Sequence, residues 1–74
     1  MMLVNYLVYY QDRETKKFAV CEVQCLLDDI EQGKINLMLY WTSLGFKCCY
    51  VKFKSIVCFK SGKRWILYDK VIGI

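Results

Sequence analysis

From Met1 to Tyr10 the chain is apolar at every position except Asn5. A run this rich in Val, Leu and Tyr predicts a strand. Gln11, Asp12, Arg13, Glu14, Thr15 and Lys16 then form a polar break of the length that closes a hairpin. Between Lys17 and Gln24 the pattern alternates, with Ala19, Cys21 and Val23 on one side and Phe18, Val20, Glu22 and Gln24 on the other. That period of two predicts a second strand.

From Cys25 to Gly45 the spacing changes. Leu26, Leu27, Ile30, Leu37, Met38, Trp41 and Leu44 fall on one stripe at helical intervals. Asp28, Asp29 and Glu31 would sit at the positive end of that helix dipole. Leu44, Gly45 and Phe46 read as a glycine stop followed by an apolar residue. An interior Gly33 costs such a helix about 1 kcal/mol relative to alanine. The rival reading stops the helix at Gly33 and makes residues 35–42 a strand. Leu and Met dominate there rather than β-branched residues, which favours the helix.

Beyond Lys47, apolar residues occupy odd positions: Cys49, Val51, Phe53, Val57 and Phe59, with Ser55 as a polar insertion. Even positions carry Tyr50, Lys52, Lys54 and Lys60, interrupted by Ile56 and Cys58. A half-buried strand follows. Lys60, Ser61 and Gly62 are read as a three-residue turn, because that odd length places Trp65, Leu67 and Val71 on the face of Phe53, Val57 and Phe59. The fold class is thus α+β: one small domain over residues 1–74, with two antiparallel hairpins joined by a helix (β-β-α-β-β) that packs on one face of the sheet. The apolar tail Val71–Ile74 is expected to be tied down.

Composition adds a surplus. Hydrophobic residues make up 57% of the 74, above the ~45–50% of an average globular chain. So short a chain has little interior, so part of this surface is expected at an interface, either of a homodimer or with another protein. The first ten residues lack a preceding basic stretch and a following small-residue cleavage site, so they do not read as a signal peptide. They are also too few for a membrane-spanning helix, which needs about 20, and no membrane partner is expected. Five cysteines without an export signal point to a reducing, cytoplasmic setting.

Little of the chain suits catalysis. Histidine is absent, which removes the commonest general base and metal ligand. Cys25, just ahead of the expected helix, is the one candidate nucleophile, and a buried structural thiol is the commoner role. Asp28 and Asp29 diverge by about 100° on a helix, so a solvated first turn suits them better than acid–base work. Cys21, Cys25, Cys48 and Cys49 match the count of a zinc site, but adjacent strand residues face opposite ways. The four glycines are scattered rather than gathered in a phosphate loop. No enzyme, cofactor or metal is expected.

Charge then singles out one region. Residues 1–33 hold three cations and six acids (−3), while residues 34–74 hold eight cations and one acid (+7). Tyr50, Lys52, Lys54, Lys60, Lys63, Arg64, Tyr68 and Lys70 form the candidate site, a basic hairpin face. Lysines at two-residue spacing rise roughly 6.6 Å apart, near the phosphate interval of one nucleic-acid strand. Interleaved tyrosines can stack on unpaired bases, and a two-stranded ribbon can enter a major groove. A solvated outer face is the competing explanation, but such a face normally mixes signs. The sequence therefore favours a small non-enzymatic protein contacting nucleic acid or another polyanion. The alternative is a protein-binding effector, an inhibitor or adaptor of the viral or mobile-element kind, acting through its apolar and aromatic surface.

Overall fold

Val4, Tyr6 and Val8 are fully buried, as the near-continuous apolar run of the first strand requires of a central position. In the computed structural model, residues 1–67 are described, with the backbone alone for Cys48 and Cys49. Strand β1 (Met2–Gln11) pairs antiparallel with β2 (Phe18–Leu27) on one side and β3 (Lys47–Ser61) on the other. Strand β4 (Arg64–Leu67) pairs with β3, and helix α1 (Ile30–Ser43) lies between the hairpins in sequence. The sheet order is β2-β1-β3-β4. The chain is α+β in the expected β-β-α-β-β order, and residues 35–42 are helical. Tyr68, Lys70 and the tail Val71–Ile74 lie outside the described residues.

Local chemistry explains the turns. The Asp12 carboxylate accepts the backbone N–H groups of Glu14 (2.9 Å) and Thr15 (3.0 Å), an Asx-type turn closed by Lys16 N–H to the Asp12 carbonyl. Lys16 takes φ +61° there. Asp29 is the N-cap of α1: its carboxylate accepts from Glu31 and Gln32 N–H. The helix therefore starts at Ile30, not at Leu26 as its apolar stripe suggests, and Leu26 and Leu27 belong to β2. At the other end Gly45, at φ +94°, donates to the Thr42 carbonyl, and Phe46 N–H to Trp41. These two bonds and the Phe46–Trp41 ring contact (5.3 Å) form a Schellman stop at the glycine the sequence marks.

Helix and sheet touch through named contacts. Leu37 joins Val4, Tyr6, Val8 and Val51 in the buried cluster. The Tyr6 hydroxyl donates to the Ile30 carbonyl at 2.7 Å, which satisfies a polar group inside that cluster. Tyr10, Trp41 and Phe46 form an aromatic triad with centroids 4.9–5.5 Å apart. Gly33 is buried beside these contacts, and any side chain there would meet Tyr6 and Leu27.

Strand β3 departs from a simple period of two. Its register with β1 shifts at three places, leaving Val57, Lys54 and Cys49 as extra residues. Ile56 consequently pairs with Val4 and packs against the core, while Ser55 pairs with Asn5 on the opposite face. The expected odd-position stripe through Val57 is thereby corrected. The β3–β4 loop is also shorter than expected. Ser61 pairs with Arg64, so the loop is Gly62-Lys63, with Gly62 at φ +63°. A glycine first in a two-residue loop suits a type II′ turn, whose twist matches the flanking strands.

Candidate binding face of the sheet

Antiparallel partners share a face, so the ladder assigns each paired strand residue to one side. The inner face carries Val4, Tyr6 and Val8, and the Tyr6 hydroxyl on it bonds the Ile30 carbonyl of α1. The outer face carries Leu3, Asn5, Leu7, Tyr9 and Gln11 of β1. Beside them stand Phe18, Val20, Glu22, Gln24 and Leu26 of β2. On the other side stand Lys47, Tyr50, Lys52, Ser55 and Cys58 of β3. Lys60 and its partner Trp65 continue this face, as do Cys58 and Leu67.

Of the expected site residues, Tyr50, Lys52, Lys54 and Lys60 come together on this face. Lys54, an extra residue in the ladder, reaches across to the Glu22 carboxylate at 3.1 Å. Lys63 sits in the turn, exposed. Arg64 pairs with Ser61, two residues from Phe59, so it projects to the side opposite Lys60. Tyr68 and Lys70 lie outside the described residues. The two-residue loop also corrects the placement of Trp65 and Leu67, which share the face of Lys60 and Cys58 rather than that of Phe59.

Two aromatic residues enter the site that sequence spacing did not supply. Tyr9 pairs with Tyr50 across the β1–β3 ladder, with centroids 6.1 Å apart. Trp65 stands beside Lys60. Tyr9 is 38%, Tyr50 52% and Trp65 48% exposed, so each presents a ring to solvent. Lys47 extends the row at the Gln11 end. A Gly-X loop at Gly62-Lys63 was the available signal for Trp65. For Tyr9 no local signal exists, because its neighbour is 41 positions away in sequence, as the Tyr9–Tyr50 pairing shows.

The centre of this face is polar and incompletely satisfied. Asn5 donates to Ser55 Oγ at 3.4 Å, while its buried Oδ1 has no hydrogen-bond partner among the described residues. The β2 half carries exposed Phe18, Val20 and Leu26, with Glu22 and Gln24 between Val20 and Leu26. Cations and aromatics thus gather along β3, and greasy side chains along β2.

Elsewhere, an open cleft of about 850 Å³ lies between the β1–β2 turn and the start of β3, lined by Gln11, Asp12, Arg13, Glu14, Lys16, Gly45, Phe46 and Lys47. Its charges are mixed in sign. Backbone N–H bonds from Thr15 and Glu14 hold the Asp12 carboxyl below its ordinary pKa. Burial raises the Cys25 thiol pKa, the reverse of what an activated nucleophile needs. Cys21 and Cys25 stand four residues apart on one strand, roughly 13 Å, too far to hold one ion within a chain. The zinc arrangement also needs the Cys48 and Cys49 side chains, which lie outside the described atoms. Burial, followed by the charges of Cys25, Glu31 and Asp29, raises the Tyr6 pKa. Among the described residues no helix is long and apolar enough to cross a membrane.

No protein-family model, curated protein or solved structure matches the chain.

Proposed function

We propose that this is a small, non-enzymatic binding protein that contacts nucleic acid, or another polyanion, through the outer face of its sheet along β3. In this reading α1 covers the inner face and leaves the outer one open. One observation carries it: the half-exposed rings of Tyr9, Tyr50 and Trp65 share that face with Lys52 and Lys60. Open sheets that bind single strands use this combination, stacking bases on aromatic rings while cations follow the phosphates. Lys63 at the adjacent turn extends the positive edge. Lys54 contributes less because Glu22 already occupies it, and Arg64 contributes from the other side only where a strand wraps the edge.

Gel shifts with single- and double-stranded DNA and RNA test this. Three phosphate contacts to a single strand imply roughly a 20-fold loss of affinity between 50 and 200 mM salt. Single strands are expected to bind more tightly than duplexes, since stacking needs unpaired bases. Absence of salt-sensitive binding to all four probes would overturn the reading.

A second reading rests on the β2 half of the same face. Phe18 and Val20 are exposed side by side on that strand, and Leu26 is exposed further along it, beyond Glu22 and Gln24; exposed apolar surface of this kind suits a protein partner. An effector of the viral or mobile-element kind, working in the cytoplasm, would use it. Capture of a protein in a complex indifferent to salt, with no retention on nucleic acid, would favour this reading.

A further inference from the structure

Among the described residues the outer edge of β2 pairs with no strand, and it carries few of the devices that keep sheet edges apart. It runs ten residues, its register with β1 is unbroken, and its sequence FAVCEVQCLL has no proline, glycine or lysine. Natural edges are usually short, bulged, or studded with lysine or proline. On the opposite side of the sheet, β4 begins with Arg64 directly after Lys63, so cations stand at its start. Glu22 is the one charge on β2, and Lys54 of the same chain neutralises it.

The hydrogen-bond phase of the edge is fixed. Asp12 N–H bonds to the Lys17 carbonyl, so 12 and 17 form a hydrogen-bonded pair. Alternation then turns residues 19, 21, 23, 25 and 27 toward β1. Phe18, Val20, Glu22, Gln24 and Leu26 direct their N–H and C=O groups outward.

We infer that a second copy of this chain pairs antiparallel with β2 about a two-fold axis at Val23, joining two sheets into one. Only pairings that match outward groups and faces are allowed, and two of them use nearly the whole strand. A two-fold at Glu22 would set Glu22 directly against its own copy, which like charges oppose. The two-fold at Val23 places Glu22 opposite Gln24 and Val20 opposite Leu26. Val20 and Leu26 are 56% and 57% exposed, and each covers the other in this register. On the inner side a groove of about 280 Å³ between β2 and α1 is lined by Cys25, Leu27, Leu37 and Tyr40 among others. Both flanks of the edge therefore offer apolar surface to the partner.

The axis stands perpendicular to the sheet, so the outer faces of both copies look the same way. Their β3 rows would lie five strand spacings apart, roughly 24 Å. One polyanion could then bridge two basic rows, but the dimer itself does not rest on the polyanion reading.

Equilibrium sedimentation at micromolar concentration is expected to give twice the 8.8 kDa chain mass. Val20→Lys puts a charge against Leu26, and Gln24→Pro removes an outward N–H at a position an unpaired edge tolerates. Each is expected to convert the dimer to a monomer with unchanged circular dichroism. Should Gln24→Pro fail to fold, Val20→Lys decides. The register has its own readout. In a chain whose only cysteines are Cys21 and Cys25, the two face each other across the axis at a non-hydrogen-bonded pair, about 4.5 Å between Cα atoms. Copper-catalysed air oxidation should then give a covalent dimer, and a chain keeping Cys21 alone should give none. A monomeric wild-type chain would assign the edge to a strand of another protein and overturn the inference. A dimer surviving both substitutions would place the interface elsewhere and overturn it too. Polyanion binding by a monomer would sink this inference while leaving the function intact.

Discussion

Gly33 lies against Tyr6: a Cβ built on the glycine would overlap the tyrosine hydroxyl and the Leu27 side chain. That hydroxyl cannot withdraw without giving up its 2.7 Å bond to the Ile30 carbonyl. A residue that weakens the helix locally is thus what allows the helix to approach the sheet. Gly33→Ala gains about 1 kcal/mol of helix propensity, but overpacking typically costs 1–3 kcal/mol. The expected net is a loss of about 1 kcal/mol in urea denaturation. Tyr6→Phe alone should cost about 1 kcal/mol for the hydrogen bond. In the Tyr6→Phe background Gly33→Ala should become less harmful. A Gly33→Ala protein more stable than wild type would contradict the close approach.

Asp29 satisfies two orphan donors of α1, the N–H groups of Glu31 and Gln32. Asp29→Ala should therefore cost about 1 kcal/mol, while Asp28→Ala, outside the cap, should cost much less. Equal effects in a denaturant titration would count against this helix start.

Acid should loosen the β1–β2 turn. Asp12 has its folded pKa lowered by bonds from Thr15 and Glu14 N–H. A depressed carboxyl contributes stability that is present above its unfolded pKa of about 3.9 and is lost as pH falls through the lower folded value. Asp12→Asn should flatten that part of the acid limb in a stability-versus-pH series. An unchanged profile would mean the carboxylate is not held in the folded turn.

Glu22 holds Lys54 at 3.1 Å on the outer face. An exposed pair of this kind contributes only about 0.2–1 kcal/mol, so Glu22→Gln should barely change stability. It removes the one acid on that face among the described strand residues and releases a lysine. Affinity for single strands should rise several-fold, and the salt slope should steepen by about 0.7 for one added phosphate contact. A weaker complex after Glu22→Gln would argue against an anionic ligand on this face.

These residues also show how far sequence reasoning carries. The β1 run, the Asp12 break, the Gly45–Phe46 stop and the strand–helix order are local signals, and each marks its element. The helix start was misplaced because Asp28 and Asp29 look alike as dipole partners, and only backbone geometry makes Asp29 the cap. In β3 the polar Ser55 among apolar odd positions, and the apolar Ile56 among polar even ones, were traces of a bulge at Lys54. A period-two reading treats them as noise. The shared face of Tyr50, Lys52, Lys54 and Lys60 is legible because these residues lie on one strand. Tyr9 and Trp65 depended on a long-range pairing and on a loop length, and neither is written in a local pattern.

The most direct measurement compares two double variants for single-stranded RNA affinity by fluorescence anisotropy at two salt concentrations. Tyr50→Ala with Lys52→Ala removes one stacking ring and one cation from the outer face of β3, and Lys16→Ala with Lys17→Ala removes two cations at the β1–β2 turn. The first pair should weaken binding about 30-fold or more, since a stacked base alone is worth about 1–3 kcal/mol. It should also lower the salt slope by about 0.7, while the second pair leaves affinity within a few-fold of wild type. Equal losses in the two variants would show that net charge, not this face, does the binding, and would contradict the account.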